Sequence, residues 1–205
     1  AKNENNRGLI NEYYGITVKV LSLITIPILT YLSFYSVEIV SVVFGAGWDK
    51  ASDLIVILSY VGILKAVANP GGAVLLALGY AKVGFWWNLA WMSVVMAGLI
   101  IGLTIKPDIA SVPVILLGLT LSVGTIWHVL IAKYSTVKYA DITLHCFKVL
   151  GISFLIAYLS FEFIARVRID TNELKLVVAG VICVVFYSIY IYFFEKNIYR
   201  KIKGK

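Results

Sequence analysis

Residues 51–78, ASDLIVILSYVGILKAVANPGGAVLLAL, form an apolar run with Lys65 near its middle and Asn69-Pro70-Gly71-Gly72 interrupting it. The run is long enough to cross the roughly 30 Å of hydrocarbon in a bilayer. A lysine at bilayer centre costs about 2.5–3.5 kcal/mol on insertion scales. A proline also leaves a backbone carbonyl that only protein or water can satisfy. No helix of this kind faces lipid all round. It has to line something, either a neighbouring helix or a wet cavity.

The remainder of the chain names the solvent. Apolar residues make up 60% and charged residues 14%, with a mean hydropathy of +0.91. Soluble domains run at about 45–50% and about 25%. Six stretches approach spanning length, near residues 18–43, 53–78, 83–104, 109–132, 147–165 and 175–194. They are continuously apolar rather than alternating, which excludes a transmembrane barrel. The expected fold class is all-α integral membrane, with six transmembrane helices over 18–194, a polar arm over 1–17 and a basic tail over 195–205. The opening Ala-Lys-Asn-Glu-Asn-Asn-Arg has neither a methionine nor a signal-peptide layout. The chain therefore reads as a piece of a longer protein.

Six spans put both ends on one side. That side carries twelve Lys and Arg, five of them in the tail, against five on the other. The positive-inside rule then places both termini in the cytoplasm. The net charge of +7 follows from this topology and implies no nucleic-acid partner; the YRKIKGK tail also suits anionic lipid headgroups. Phe85, Trp86, Trp87 and Trp91, together with Tyr187, Tyr190, Tyr192 and Phe193, fall where an interfacial aromatic belt would lie.

Pro27 is expected to kink the first span. Ser22, Thr25, Ser33 and Ser36 fall on one arc of that helix, a stripe that suits close helix packing better than a cavity wall. In the second span Gly62, Lys65, Asn69 and Gly72 share a face. One reading has Lys65 snorkelling or paired with a carboxylate while the glycines allow packing. The other has Lys65 and Asn69 in the wall of a substrate cavity, with Pro70, Gly71 and Gly72 as a hinge. His128 reads as hydrogen-bonded packing, Glu162 and Arg166 as a local helix pair, and Glu38 as a residue reaching the outer interface. Cys146 and Cys183 read as small buried residues, and His145 has no ligand partners in sequence. With no nucleotide loop, metal motif or catalytic constellation, no cofactor, metal site or enzymatic activity is expected.

Two local patterns carry a resemblance. Phe44-Gly45-Ala46-Gly47-Trp48-Asp49-Lys50-Ala51 resembles the F/Y-G-x-x-W-x-x-A turn of bacterial polysaccharide-repeat flippases. Asn69-Pro70-Gly71-Gly72 through Gly79, followed by Phe85 and Asn88, is similar to the N-P-x-G-x-L-L-x-A-x-G-R stretch of the colanic-acid and teichuronic-acid exporter branch. These are Wzx-like members of the multidrug/oligosaccharidyl-lipid/polysaccharide exporter superfamily. Tyr80 stands where that branch often has arginine, which removes any headgroup role tied to it and leaves Lys82 as the nearby charge.

The resemblance implies a two-lobed transporter in the bacterial inner membrane, of which this chain is the C-terminal lobe. The missing N-terminal lobe would be its partner. The implied substrate is an undecaprenyl-pyrophosphate-linked oligosaccharide, flipped between leaflets for surface polysaccharide or lipopolysaccharide synthesis. Polymerase and glycosyltransferase proteins and the surrounding lipids would be further partners. Two alternatives stand beside this: a multidrug or small-molecule antiporter of the same superfamily, and a non-transporting scaffold for polysaccharide assembly.

Overall fold

The computed structural model describes residues 2–135, 139–167 and 169–195, with side chains from Gly8 onward. The basic tail 196–205, Lys2, Arg7, Lys138 and Arg168, all counted in the charge bias, lie outside the described side chains. Eight α-helices and no strand occur among the described residues: α1 Lys2–Phe34, α2 Ser36–Phe44, α3 Asp49–Ala68, α4 Pro70–Ala77, α5 Ala81–Ile105, α6 Ser111–Tyr134, α7 Tyr139–Val167 and α8 Asn172–Phe194. Six helical segments are long and apolar enough to cross a membrane, the second being α3 and α4 taken together. This is an all-α membrane protein.

Its core is sparse because the outer solvent is hydrocarbon. Large apolar side chains such as Phe154, Leu155, Val184 and Phe186 stand on the surface, where lipid satisfies them and only backbone groups need internal partners. Burial is concentrated along α1, which packs on α3 and α7. The Tyr14 and Tyr139 hydroxyls meet at 3.4 Å, and those of Tyr35 and Ser160 at 2.9 Å, each pair 125 residues apart in the chain. The constant offset shows α1 and α7 running parallel without slip. Ser22 and Ser33 on α1 and Ser36 at the start of α2 are buried, as a packing seam requires. Ser22 satisfies its hydroxyl on the Lys19 carbonyl, and half-buried Thr25 uses that of Leu21.

The first span departs from expectation at both ends. Helix begins well before residue 18, and residues 8–17 continue straight into the span. Ile10, Tyr14 and Val18 recur at helical spacing and pack in the core against Leu75 and Ile142, so this half of the expected polar arm has an apolar face to bury. At the far end the helix runs unbroken through Pro27 and is interrupted at Tyr35 (φ −109°, ψ 25°). Tyr35 is fixed there by its own hydroxyl on Ser160, while Tyr31 donates to the Leu176 carbonyl at 2.7 Å. The fifth span is also longer than expected, because α7 starts at Tyr139 rather than near 147.

The first family-like pattern forms the turn from α2 to α3. Gly45 and Gly47 take φ of 77° and 97°, left-handed values that disfavour any residue with a Cβ. Phe44 and Trp48 lie 5.5 Å apart across this turn, and the Ala51 N–H closes it on the Trp48 carbonyl.

Candidate functional site

A cavity of about 360 Å³ opens between α3–α4, α5 and α6. It is built around the interruption in the second span. Pro70 has no N–H, so the α-helical ladder fails at this turn. The backbone nonetheless stays helical at Asn69 (φ −56°, ψ −43°), whose N–H still reaches the Lys65 carbonyl at 2.9 Å. One turn on, the Gly72 N–H bonds the Asn69 carbonyl at 3.3 Å instead of the Ala68 carbonyl that a regular helix would use. The Ala68 carbonyl accepts from Trp127 Nε1–H on α6, at 3.0 Å. An indole has one donor and no acceptor, so it suits a lone carbonyl inside a membrane.

Gly71 makes room for this contact. A Cβ at position 71 would sit 3.0 Å from Trp127 Nε1 and 3.1 Å from Ile131 Cγ1. Trp127 is held on its other side by Trp87 of α5, stacked with centroids 4.9 Å apart. Gly72, by contrast, has nothing within 4 Å of a Cβ and faces the cavity. The proline break is therefore closed by an aromatic clamp reaching across α4, α5 and α6.

Lys65, Asn69 and Gly72 line the cavity together. Gly62 does not join them, although the helical wheel places it on the same arc. A Cβ there would lie 2.9 Å from Leu29 Cδ1 of α1, so Gly62 belongs to the α1–α3 contact. Across from Lys65, Trp91 presents its ring 5.5 Å from the ammonium nitrogen. A cation over an indole gains about 0.5–2 kcal/mol, more as water is excluded. Among the described residues Lys65 forms no ion pair, and the cavity lining contains no carboxylate. Asn88 supplies a second carboxamide opposite Asn69, with Thr120, Thr125 and His128 completing the polar wall. Chemically this is a site with one positive charge, two carboxamides and aromatic faces, suited to an anionic, hydroxyl-rich ligand.

Several sequence expectations change here. Trp87 stacks on Trp127 and Trp91 faces Lys65, so both also line the cavity; Phe85 and Trp86 are exposed. His128 lies against Tyr139 at 5.8 Å between ring centroids and lines both this cavity and a larger apolar one of about 440 Å³ between α1, α3, α6 and α7. Glu162 and Arg166 pair at 3.9 Å, both exposed. Glu38 shares a small pocket with Lys175. Trp127 was not singled out in the sequence. The signal for it was present, since a proline at membrane depth calls for a hydrogen-bond donor on a neighbouring helix at the same level.

The chain is 38% identical over 88 residues to the teichuronic acid biosynthesis protein TuaB of Bacillus subtilis (strain 168). The resemblance to the teichuronic-acid branch holds. The chain is thus a multi-pass membrane protein related to a protein of polysaccharide biosynthesis. The matched stretch covers 43% of this chain and 18% of that relative. No family model matches the chain, and no solved structure does.

Proposed function

We propose that this chain is one lobe of an exporter that carries lipid-linked oligosaccharide units across the bacterial cytoplasmic membrane for surface polysaccharide synthesis. In this reading the cavity between α3–α4, α5 and α6 forms part of the path. The observation that carries it is Lys65, held without a carboxylate partner at mid-span over Trp91, with Asn69 and Asn88 in the same wall. A pyrophosphate-linked glycan cannot cross hydrocarbon unaided. It needs a positive charge to replace lost hydration, carboxamides for its hydroxyls and aromatic faces for its sugar rings. A scaffold would need none of these at membrane depth, where a lysine is costly. Relationship to a protein of teichuronic acid biosynthesis supports the same substrate class.

Pro70, Gly71 and Gly72 act in this proposal as the joint about which α4 moves relative to α3. The termini face the cytoplasm, as the charge bias favours. Replacing Lys65 by alanine in the intact protein tests the reading. Surface polymer should fall severalfold at equal expression and normal membrane insertion, and Lys65→Arg should retain more of it. Undiminished polymer in Lys65→Ala would remove the cavity from the path.

A further inference from the structure

Away from the cavity, α1, α7 and α8 enclose a second polar group that the exporter reading leaves unused. His145 of α7 and Glu195, which caps α8, approach to 3.6 Å between Nδ1 and Oε1, with side chains only 9% and 13% exposed. Tyr190 donates its hydroxyl to the same carboxylate oxygen at 2.9 Å. The charged and titratable groups facing the pair come from all three helices. Lys19 reaches it from α1 and Lys148 from the next turn of α7. Tyr187 of α8 stands beside Tyr190 with ring centroids 5.7 Å apart, and Cys146, next to His145 in the chain, faces Ser22 and Lys19 of α1.

Neither protonation state of this pair satisfies every atom. His145 Nε2 and the Tyr187 hydroxyl are buried without a hydrogen-bond partner among the described residues. Buried polar atoms are rarely left so, and an exception needs a cause. With a neutral imidazole, the tautomer that donates from Nδ1 to the carboxylate leaves a bare lone pair at Nε2. The other tautomer turns two lone pairs toward each other across 3.6 Å. With an imidazolium, the ion pair forms and the ring meets the Lys19 backbone, but the ammonium groups of Lys19 and Lys148 add like charge. No state dominates on contacts alone. That balance is what a group needs in order to exchange a proton with its surroundings.

We propose that His145 and Glu195 form a proton-binding site whose occupancy sets how firmly the end of α8 is held to α7. Binding adds one proton to the imidazole and makes the pair an imidazolium–carboxylate; release returns a neutral ring and a carboxylate held by Tyr190. An unperturbed histidine exchanges its proton between about pH 5 and 8, and the carboxylate and ammonium groups around His145 bias that exchange in opposite directions. Glu195 is both the carboxylate of the pair and the C-cap residue of α8. The charge state is therefore transmitted directly to the point where that helix ends.

The full-length protein, with histidines ¹³C-labelled at Cε1 and held in lipid nanodiscs, is titrated by NMR, and the signal lost in His145→Gln is the one followed. The His145 signal should titrate between pH 5 and 8. In Glu195→Gln its midpoint should move to more acidic pH by about one unit, a tenfold loss of proton affinity, with helix content by circular dichroism unchanged. Should that variant fail to fold, Lys19→Gln removes a facing cation and should move the midpoint the other way. A His145 midpoint that is identical in wild type and in a folded variant, or a wild-type signal that does not move across this range, overturns the proposal.

Discussion

Gly71 and Gly72 are adjacent in the same interruption, yet replacing each by alanine should have opposite effects. At position 71 the new methyl would fall 3.0–3.1 Å from Trp127 and Ile131. Trp127 cannot retreat without leaving the Ala68 carbonyl or the Trp87 ring, and Ile131 is fully buried. Overpacking of this kind costs about 1–3 kcal/mol, and losing an interhelical hydrogen bond in a membrane adds about 0.6 kcal/mol. Against this, alanine regains up to about 1 kcal/mol of helix propensity. The net expectation for Gly71→Ala is a loss of about 1–2 kcal/mol. At position 72 the methyl meets nothing, and only the propensity gain remains, so Gly72→Ala should be neutral or stabilising by about 0.5–1 kcal/mol. Reversible unfolding of the full-length protein in mixed micelles, followed by circular dichroism against rising SDS fraction, measures both. In a Trp127→Ala background the Gly71→Ala penalty should shrink by about 0.5 kcal/mol or more, as expected of side chains in contact. Equal effects at the two glycines, or strict additivity with Trp127→Ala, would refute the clamp.

Three other substitutions probe separate contacts. Trp127→Phe keeps a ring against Trp87 but strands the Ala68 carbonyl, and should cost about 0.5–2 kcal/mol in the same unfolding assay. Tyr35→Phe should cost about 0.5–1.5 kcal/mol, at the lower end because Ser160 keeps its bond to the Ala157 carbonyl at 2.8 Å. Glu162→Gln removes the exposed pair with Arg166 and should stay within about 0.5 kcal/mol of wild type at any salt concentration, since such surface pairs contribute little.

Much of the architecture was legible because length and continuous hydrophobicity are strong signals in a membrane chain. The helices from α3 onward begin and end close to the expected positions, apart from the early start of α7. The first span misled for a local reason. Hydrophobicity runs on past Phe34 in the sequence, but Tyr35 leaves the helical conformation and is held by a contact 125 residues away. Helical-wheel reasoning placed Lys65, Asn69 and Gly72 together correctly and erred at Gly62, because a wheel shows which residues share an arc but not which helix stands against each part of it. Trp91 and Trp87 were hidden by the same limit. A tryptophan near an inter-helix turn fits an interfacial belt and a cavity wall equally well until the neighbouring helix is known. His145 and Glu195 are 50 positions apart in the chain, and nothing in the spacing announces that they meet.

α5 has no buried residue and packs on α4 and α6, and its fit to α6 rests on Gly98 against Leu119 and Gly102 against Ile115. The cavity accordingly has two unlike sides. Lys65 and Asn69 belong to a segment anchored on α1, whereas Trp87, Asn88 and Trp91 ride on a helix with no buried residue. The width of the polar chamber therefore depends on how α5 seats on α4 and α6, at the two glycine notches and the Trp87–Trp127 stack among its contacts.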